Sequence, residues 1–456
     1  MDISIVGGGF CGAACAFHLL RDHAPAGLRL TIVEPRATLG AGLAYSATRP
    51  EHRINVAAAR MSLLPEDQDH FHRWLEDRGE AARDPAAALP DGRLYPARAR
   101  YGVYVAEMLA AQACRTGMAF EHVRQTALSV QLEGRGVTIR TDGRTLHADA
   151  VVLAISHTAP DLPAPLLGCP GVIGDPWDAA AVAGIAPEAR VLVVGTGLTA
   201  CDVMASLLAR GHRGPITAVS RHGLLPRPRT SLPIEAEGDF STAPETTASA
   251  LLRRVRIAVA GAAAGGRPWE NIVDALRQQA GAAWGTLDWD ARRRVLRHLR
   301  TLWDVHRFQC APQIDAALTA AQAAGVLRVR AARLLGTATT PAGIAVALQP
   351  RGGGPTETLC VDVVVNCTGP GHRSVVASHP VLRGLAEAGA LQPDPAGLGI
   401  LVDGQSRPIG SDGFARENLF VAGPLARGTF GELMGLPQVN LQPRAVAAAL
   451  AAQCLA

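Results

Sequence analysis

The chain opens on a short run of apolar residues, Ile3 to Val6, that passes through glycines into a helical pattern of apolar positions, Ala13 to Leu20. A second apolar run, Leu28 to Val33, follows and ends at Glu34. Short apolar runs that alternate with helical periodicity are typical of parallel β-strands joined by helices. The pattern therefore predicts an α/β fold that begins with a strand, a glycine turn, a helix and a second strand.

The same pattern returns in the second half of the chain. An apolar run, Arg190 to Val194, leads into a second glycine turn and a helix to about Arg210, and the strand Ile216 to Val219 follows. In each half, a later region of period two predicts a three-stranded β-meander. The predicted meander strands are 119–123, 127–132 and 137–141 in the first half, and 326–330, 333–339 and 344–348 in the second. This repetition predicts two Rossmann-like dinucleotide-binding domains, each with a β-meander.

Helical patterns fill the region between the second glycine unit and its meander. Candidate helices at 251–259, 269–279 and 290–308 predict a helical insertion at about 233–324. A last strand at 418–422 and a helix from about Pro443 follow. We predict a discontinuous first domain, 1–157 and 371–456, and a second domain, 158–370, that carries the insertion. The insertion's tryptophans are expected to pack in its core, with the wall of a substrate pocket as the alternative; they are Trp269, Trp284, Trp289 and Trp303.

The first glycine turn has the G-x-G-x-x-G spacing, with glycines at Gly7, Gly9 and Gly12. The first glycine permits a tight turn, the second lets a pyrophosphate approach the backbone, and the third lets the helix pack on the strand. The helix N-terminus supplies free N–H groups for the phosphates. Glu34, 22 residues beyond the last glycine, is placed to accept hydrogen bonds from a ribose. The unit predicts a dinucleotide, either FAD or NAD.

The second glycine turn differs from the first at one diagnostic position. Gly195, Gly197 and Ala200 repeat the spacing, but Ser220-Arg221-His222 stands where the first unit has its acid. A carboxylate there would repel the 2′-phosphate of NADP, whereas Arg221 would attract it. We therefore predict FAD in the first site and NADPH in the second, with NADH as the alternative donor and hydride transfer from nicotinamide to flavin. A degenerate second site, with FAD as the only cofactor, stays open. The predicted NADPH contacts are Gly195, Gly197, Leu198, Thr199, Ala200, Ser220 and Arg221.

Composition narrows the function classes. The 456 residues carry 44 Lys and Arg against 40 Asp and Glu, a net charge of +4 that gives no reason to invoke nucleic acid. Nine cysteines without a C-x-x-C pair are expected in a reducing cytoplasm and argue against a metal site. We expect no signal peptide, since a strand begins at residue 3, and no membrane span, and we leave the oligomeric state open. An arginine-rich cluster is expected to form a solvated helix face; its members are Arg292, Arg293, Arg294, Arg297, Arg300 and Arg307.

Six stretches carry a resemblance to a known family: residues 39–46, 55–62, 100–102, 195–200, 220–228 and 423–430. On these stretches the chain resembles the two-dinucleotide-domain flavoproteins, and is similar to a bacterial family of FAD/NAD(P)-binding proteins related to the class B flavin monooxygenases. The resemblance implies flavin-ring contacts around Asn55 and Met61, and closure of the flavin site by Gly423 and its neighbours. The expected FAD contacts are Gly7, Gly9, Phe10, Cys11, Gly12, Glu34, Pro35, Tyr45, Asn55, Met61, Gly423 and Pro424.

Two stretches depart from the pattern of that family. Ile155-Ser156-His157 stands at the end of the first meander, where the family has a Gly-containing turn. After Phe430 the family has a Trp and then an Ala-Val-Pro-Asp segment, whereas this chain has Gly431 and the segment 435–438. Both departures fall where we expect flavin and substrate to meet.

The cysteines narrow the reaction type. Cys11 and Cys15, the only close pair, lie one helical turn apart and are expected to be small core residues rather than a redox couple. Reduced flavin would then pass its electrons to O2 or to a small oxidised substrate. Asn55 is our first candidate for a catalytic polar contact at the flavin, and His306, at the end of the insertion, is the second.

The leading functional prediction is an FAD-containing, NADPH-dependent monooxygenase that hydroxylates nitrogen or inserts oxygen into a small molecule, with O2 as co-substrate. Two alternatives stay open. One is a flavin-dependent reductase or oxidase that inserts no oxygen. The other is a non-catalytic flavin- or nucleotide-binding partner protein.

Overall fold

The structure is a computed structural model that describes residues 1–24, 27–134, 136–155, 160–232 and 234–454. Its strands are β1 (Asp2–Val6), β2 (Arg29–Val33), β3 (Ala119–Val123), β4 (Ala127–Glu133), β5 (Gly136–Thr141), β6 (Thr145–Ala148), β7 (Ala150–Leu153), β8 (Val172–Ile173), β9 (Val191–Val194), β10 (Ile216–Ser220), β11 (Leu327–Thr340), β12 (Gly343–Pro350), β13 (Glu357–Val361), β14 (Val363–Asn366) and β15 (Leu419–Val421).

The helices of the same residues are α1 (Phe10–His18), α2 (His70–Asp77), α3 (Glu80–Arg83), α4 (Arg98–Thr116), α5 (Ala179–Ala183), α6 (Leu198–Ala209), α7 (Ala248–Ala264), α8 (Glu270–Gln278), α9 (Ala280–Gly285), α10 (Trp289–His298), α11 (Arg300–Arg307), α12 (Pro312–Ala323), α13 (Val375–Ser378), α14 (Pro380–Glu387), α15 (Arg427–Phe430) and α16 (Gln438–Cys454). None of them is both long and apolar enough to cross a membrane.

The first sheet is parallel, with the strand order β15-β7-β1-β2-β3. Its central strands are buried and apolar, as expected of a parallel sheet that is covered on both faces. Helices α1, α4 and α16 pack together, and side chains such as Ile5 and Phe17 lie in the core that they share with the sheet. The strands β4, β5 and β6 form a separate meander against which α14 packs.

The second sheet has the strand order β13-β12-β11-β10-β9-β14-β8. The neighbouring strands β8, β14, β9 and β10 are parallel to one another. The strands β12 and β13 extend the sheet as antiparallel strands. Helix α6 packs against α12 beside this sheet, and helices α7 to α11 form the insertion. The predicted α/β fold with two Rossmann-like units, meanders and a helical insertion is confirmed. The domain boundaries 1–157, 158–370 and 371–456 stay a prediction.

Both meanders contain strands other than those predicted. The strand at 119–123 pairs in parallel with β2 as the edge of the first sheet, and β6 is the third meander strand instead. The predicted strands 326–330 and 333–339 are one strand, β11, which pairs first with β10 in parallel and then with β12 in antiparallel. Alternation of period two identifies the two faces of a strand but does not identify its partner, which explains both errors.

Two helix predictions are also wrong in their extent. The predicted helix 290–308 is divided at Leu299 into α10 and α11. The last helix begins at Gln438 and contains Pro443 in its interior, although proline favours the first turn. The segment before Pro443 therefore belongs to a helix, and that helix packs on α1.

Two contacts hold α6 against the start of α4 and the loop that contains His52. Arg98 Nη1 lies 2.7 Å from Asp202 Oδ2, and His52 Nε2 lies 2.8 Å from Ser206 Oγ. Burial raises the pKa of the Asp202 carboxyl, and the positive charge of Arg98 opposes that shift. These contacts join the two Rossmann-like units beside their glycine turns.

Candidate functional site

The first glycine turn leaves no room for side chains. Gly7 has a φ of +103°, and a Cβ on it would overlap the carbonyl oxygen of Ala154. A Cβ on Gly12 would overlap the carbonyl oxygen of Gly7, so α1 packs directly on the turn. Gly9 lies directly before α1, at its N-cap position, and no described side chain caps that helix. The turn therefore presents bare backbone and a free helix N-terminus, which is the arrangement that a dinucleotide pyrophosphate needs.

Glu34 lies at the end of β2 with its carboxylate beside this turn. The side chain is buried, and its Oε2 accepts a hydrogen bond of 2.9 Å from the backbone N–H of Gly8. Its Oε1 lies 3.3 Å from Arg36 Nη1. The carboxylate is thereby held where a ribose next to the pyrophosphate would meet it, so the residues present fit the dinucleotide.

The other predicted FAD contacts lie at different depths around α1. The rings of Phe10 and Tyr45 are 6.1 Å apart. Gly423 has a φ of +98°, and a Cβ on it would lie 2.5 Å from Cys11 Sγ, so the segment that ends in Pro424 touches α1. Met61 is buried in the core and Pro35 is exposed. Their roles as cofactor contacts stay a prediction.

Of the two cysteines of α1, Cys15 is buried in the core and Cys11 is half-buried against it. Burial raises the pKa of the Cys11 and Cys15 thiols to about 12 in each case. Burial therefore disfavours the thiolate, which is the reactive form of cysteine, at both positions. This finding supports their interpretation as packing residues.

The second glycine turn repeats the backbone geometry of the first. Gly195 has a φ of +114°, and a Cβ on it would overlap the carbonyl oxygen of Cys367. Gly197 begins α6 and is exposed, and a Cβ on it would meet no described atom within 4 Å. The Thr196 hydroxyl lies 2.8 Å from Ser220 Oγ and ties the turn to the end of β10. The residues present therefore fit a second dinucleotide.

Arg221 follows β10 and is exposed. Its neighbour His222 is hydrogen-bonded through Nδ1 to Arg351, which follows β12. Burial lowers the pKa of His222, and the charges of Arg351 and Arg221 lower it further. Two guanidinium groups therefore lie beside the position predicted for a 2′-phosphate. Arg351 was not predicted from the sequence, because it lies in a polar turn of the second meander and no motif surrounds it.

Asn55 lies beside a small pocket that the sequence analysis did not predict. Its backbone carbonyl accepts a hydrogen bond of 2.7 Å from Arg229 Nε. The pocket has a volume of about 30 Å³ and lies between the segment after Asn55, helices α8 and α11, and residues 436–437. We call it the arginine pocket, because its lining includes Arg60, Arg229, Arg277 and Arg307.

Three of these arginines have acidic partners. Asp274 binds both Arg60, at 3.0 Å, and Arg277, whereas Glu432 binds Arg307 at 3.0 Å. Among the described residues, no carboxylate lies within 4 Å of the fourth, Arg229. Burial lowers the pKa of Arg229 and of Arg277 to about 10, so both remain charged at neutral pH.

A second cavity of about 1100 Å³ lies among the helices of the insertion. It adjoins the arginine pocket, and Arg229, Trp269 and His306 line both. We call it the insertion cavity. Trp284 and Trp303 also line it, so three of the four tryptophans form a pocket wall rather than a closed core. Trp289 instead packs under the Arg292 guanidinium, whose carbon lies 4.5 Å from the ring centroid.

His306 lies where the two cavities meet. Its Nδ1 is 2.7 Å from the carbonyl oxygen of Leu302, which can only accept, so Nδ1 carries the hydrogen. The imidazole packs edge-on against Trp269, with ring centroids 4.8 Å apart. In the neutral ring the other nitrogen, Nε2, is then a hydrogen-bond acceptor.

The arginine-rich cluster is not a solvated face throughout. Arg293, Arg294, Arg297 and Arg300 are exposed, as predicted. Arg292 and Arg307 are buried, which corrects the prediction for both. Arg292 Nη1 donates to the carbonyl oxygen of Gly428 at 3.1 Å, and Arg307 pairs with Glu432, so the two side chains bind the insertion to the segment 428–432.

Gly431, where the resembled family has a Trp, is covered by an indole from the insertion. Its φ is +81°, and a Cβ on it would lie 2.8 Å from Trp284 Cγ. Trp284 Nε1 donates to the carbonyl oxygen of Gly428 at 2.8 Å and so keeps the indole in place. The other stretch that departs from the family pattern is 155–157. Its Ile155 is buried, and Ser156 and His157 lie outside the described residues.

We expect Gly431→Ala to destabilise the protein by about 1 to 3 kcal/mol, because the new methyl group meets the Trp284 ring and the φ is unfavourable for alanine. Thermal unfolding followed by circular dichroism measures the effect. Gly281→Ala in α9 is the control, since its Cβ would meet no described atom within 4 Å. An unchanged unfolding temperature for Gly431→Ala would mean that Trp284 does not cover this glycine.

Residues 4–158 match a protein family described as FAD-NAD(P)-binding. This match confirms the prediction of FAD and a nicotinamide dinucleotide as cofactors. No curated protein sequence matches the chain.

Solved structures of flavin enzymes are similar over the whole chain. Ornithine hydroxylase from Pseudomonas aeruginosa, in its reduced form, has a TM-score of 0.65 at 14% identity and covers 100% of this chain and 99% of its own. Ornithine N-hydroxylase from Kutzneria sp. 744, with reduced FAD, NADP+ and L-ornithine, has a TM-score of 0.64 at 16% identity, with coverage of 100% and 99%. L-lysine 6-monooxygenase from Pseudomonas syringae has a TM-score of 0.64 at 19% identity, with coverage of 100% for both chains. The expected resemblance to class B flavin monooxygenases is confirmed for the fold.

Proposed function

We propose that the protein is an FAD-containing, NADPH-dependent monooxygenase that hydroxylates nitrogen or inserts oxygen into a small molecule. The observation that carries the proposal is the pair of glycine turns, each with an uncapped helix N-terminus, with Arg221 beside only the second. The similar folds of ornithine and lysine hydroxylases support it. Bound FAD would accept a hydride from the nicotinamide and pass electrons to O2.

The residues of the chain would bind and orient these groups. Gly9 and the N-terminus of α1 would hold the FAD pyrophosphate, and Glu34 would accept hydrogen bonds from its ribose. Arg221 would bind the 2′-phosphate of NADPH. Asn55 would lie at the flavin ring, and His306 Nε2 would take a proton from a substrate in the insertion cavity.

An absorption spectrum tests the redox half of the proposal. The purified protein should be yellow, and anaerobic NADPH should bleach its flavin bands. A protein that binds FAD but is not bleached would be a flavin-binding partner protein. A colourless protein that takes up no added FAD would also contradict the proposal.

Oxygen stoichiometry tests the monooxygenase half. When O2 is admitted with a substrate, less peroxide should form than O2 is consumed, and ¹⁸O from ¹⁸O2 should enter the product. Peroxide equal to the O2 consumed, with every substrate offered, would indicate an oxidase. Rapid anaerobic reduction of a quinone or imine without oxygen incorporation would indicate a reductase.

A further inference from the structure

We propose that the substrate is an amphipathic carboxylate, whose carboxylate binds Arg229 in the arginine pocket and whose apolar body lies in the insertion cavity. The inference rests on the proposed function and names the substrate class for the same site.

Arg229 differs from the other arginines of the pocket in having no acidic partner in the described part of the chain. The other three arginines of the pocket are paired with Asp274 or Glu432, but Arg229 has its hydrogen bond to the Asn55 carbonyl and no carboxylate within 4 Å among the described residues. A half-buried guanidinium that has no carboxylate beside it is a site for an anion. Its planar fork of N–H donors matches the two oxygens of a carboxylate.

Glu270 is the remaining acid of the pocket and must be weighed against this inference. It is buried beside Arg229, and burial raises the pKa of its carboxyl while Arg229 and His306 oppose the shift. Even with Glu270 ionised, four guanidinium groups face three carboxylates, so the pocket is net positive. An anion is therefore favoured over an ammonium group.

The two adjoining cavities differ greatly in volume. The arginine pocket, at about 30 Å³, has room for a group of the size of one or two water molecules, such as a carboxylate. The insertion cavity, at about 1100 Å³, is at the upper end of the range for small-molecule sites. Apolar side chains line much of it, among them Leu252, Val255, Val259, Leu276, Leu287 and Leu299. A small anionic head and a large apolar body fit this arrangement.

The proposed carboxylate site lies beside the position predicted for the flavin. Arg229 is bonded to the backbone of Asn55, and Asn55 is the predicted contact of the flavin ring. A carboxylate held by Arg229 would place the neighbouring atoms of the substrate beside that ring.

Isothermal titration calorimetry of the FAD-loaded protein with sodium decanoate tests the inference without any turnover. We expect one binding site, with an affinity that rises about fourfold for each methylene between hexanoate and decanoate. Decylamine and L-ornithine should bind at least tenfold more weakly than decanoate. Decylamine that binds as tightly as decanoate would assign the head group to Glu270 and overturn the inference.

Variants of Arg229 test the head group. Arg229→Gln should weaken decanoate binding about 10- to 100-fold, and Arg229→Lys should restore part of it because the charge remains. Arg253→Gln, an exposed change on α7, is the matched control and should have no effect. Tryptophan emission and the unfolding temperature verify that each variant is folded. Unchanged binding in a folded Arg229→Gln would overturn the inference.

The titration also separates the substrate from the nicotinamide cofactor. Decanoate should still bind in the presence of saturating NADP+. Complete displacement by NADP+ would assign the arginine pocket to the cofactor and overturn the inference. Tight decanoate binding in a protein whose flavin NADPH does not bleach would instead contradict the proposed function and leave the carboxylate site standing.

Discussion

Gly12→Ala is expected to yield a protein that purifies without FAD and loses about 3 kcal/mol of its stability. The new Cβ would overlap the carbonyl oxygen of Gly7, a backbone atom that cannot rotate away, and would lie 3.2 Å from Ile5 Cγ2. Helix α1 would have to move off β1, and with it the N–H groups proposed to hold the pyrophosphate. FAD absorbance per protein and thermal unfolding measure the two effects.

A glycine in an open helix position provides the control for this variant. Gly261 lies within α7, and a Cβ on it would meet no described atom within 4 Å. Gly261→Ala should therefore keep its FAD and gain up to about 1 kcal/mol, because alanine is the better helix former. A Gly12→Ala protein with a full complement of FAD would contradict the assignment of the first turn.

Arg221→Ala is expected to lower kcat/KM for NADPH about 10- to 100-fold and to leave kcat/KM for NADH unchanged. The loss corresponds to about 1.5 to 3 kcal/mol, the contribution of a hydrogen bond to a charged group. The side chain is exposed at the end of β10, so its removal should not disturb the fold. Rates of anaerobic flavin reduction with each donor measure the change.

Arg351 allows a second comparison at the same position. It is bonded to His222 beside Arg221, and Arg351→Ala should lower the NADPH rate less than Arg221→Ala does, because its guanidinium is shared with the imidazole. Arg253→Ala, remote from both turns in the sequence, should change neither rate. If Arg221→Ala lowers kcat/KM equally for NADPH and NADH, the residue contacts a part of the cofactor other than the 2′-phosphate.

Local chemistry explains which parts of the fold could be predicted. Each glycine turn is formed by a few adjacent residues, and Gly7 and Gly195 have the positive φ that the turn requires. The sequence motif therefore predicts the turn directly. The partner of a strand is not local: 119–123 alternates like a meander strand but pairs with β2. The burial of Arg292 and Arg307 could not be predicted either, because both side chains contact the segment 428–432, which is distant in the sequence.

The candidate site was predicted only where a motif marks it. Glu34 and Arg221 could be predicted because each directly follows the second strand of a glycine unit. The arginine pocket combines Arg60, Arg229, Arg277 and Arg307, which are up to 247 positions apart in the sequence and have no common spacing. Such a cluster exists only after the insertion has packed on the segment after Asn55, so no pattern in the sequence could indicate it.

The strand order β15-β7-β1 has a consequence for protein synthesis. The ribosome delivers residues 419–454 only after every strand of the second sheet has been made. Until then β7 is paired only with β1, α1 lacks α16, and Cys11 lacks the contact with Gly423. The first sheet therefore stays incomplete until then, whereas the strands of the second sheet all lie within residues 172–366 and can pair earlier. Truncation before residue 419 would release a chain that cannot complete its first sheet.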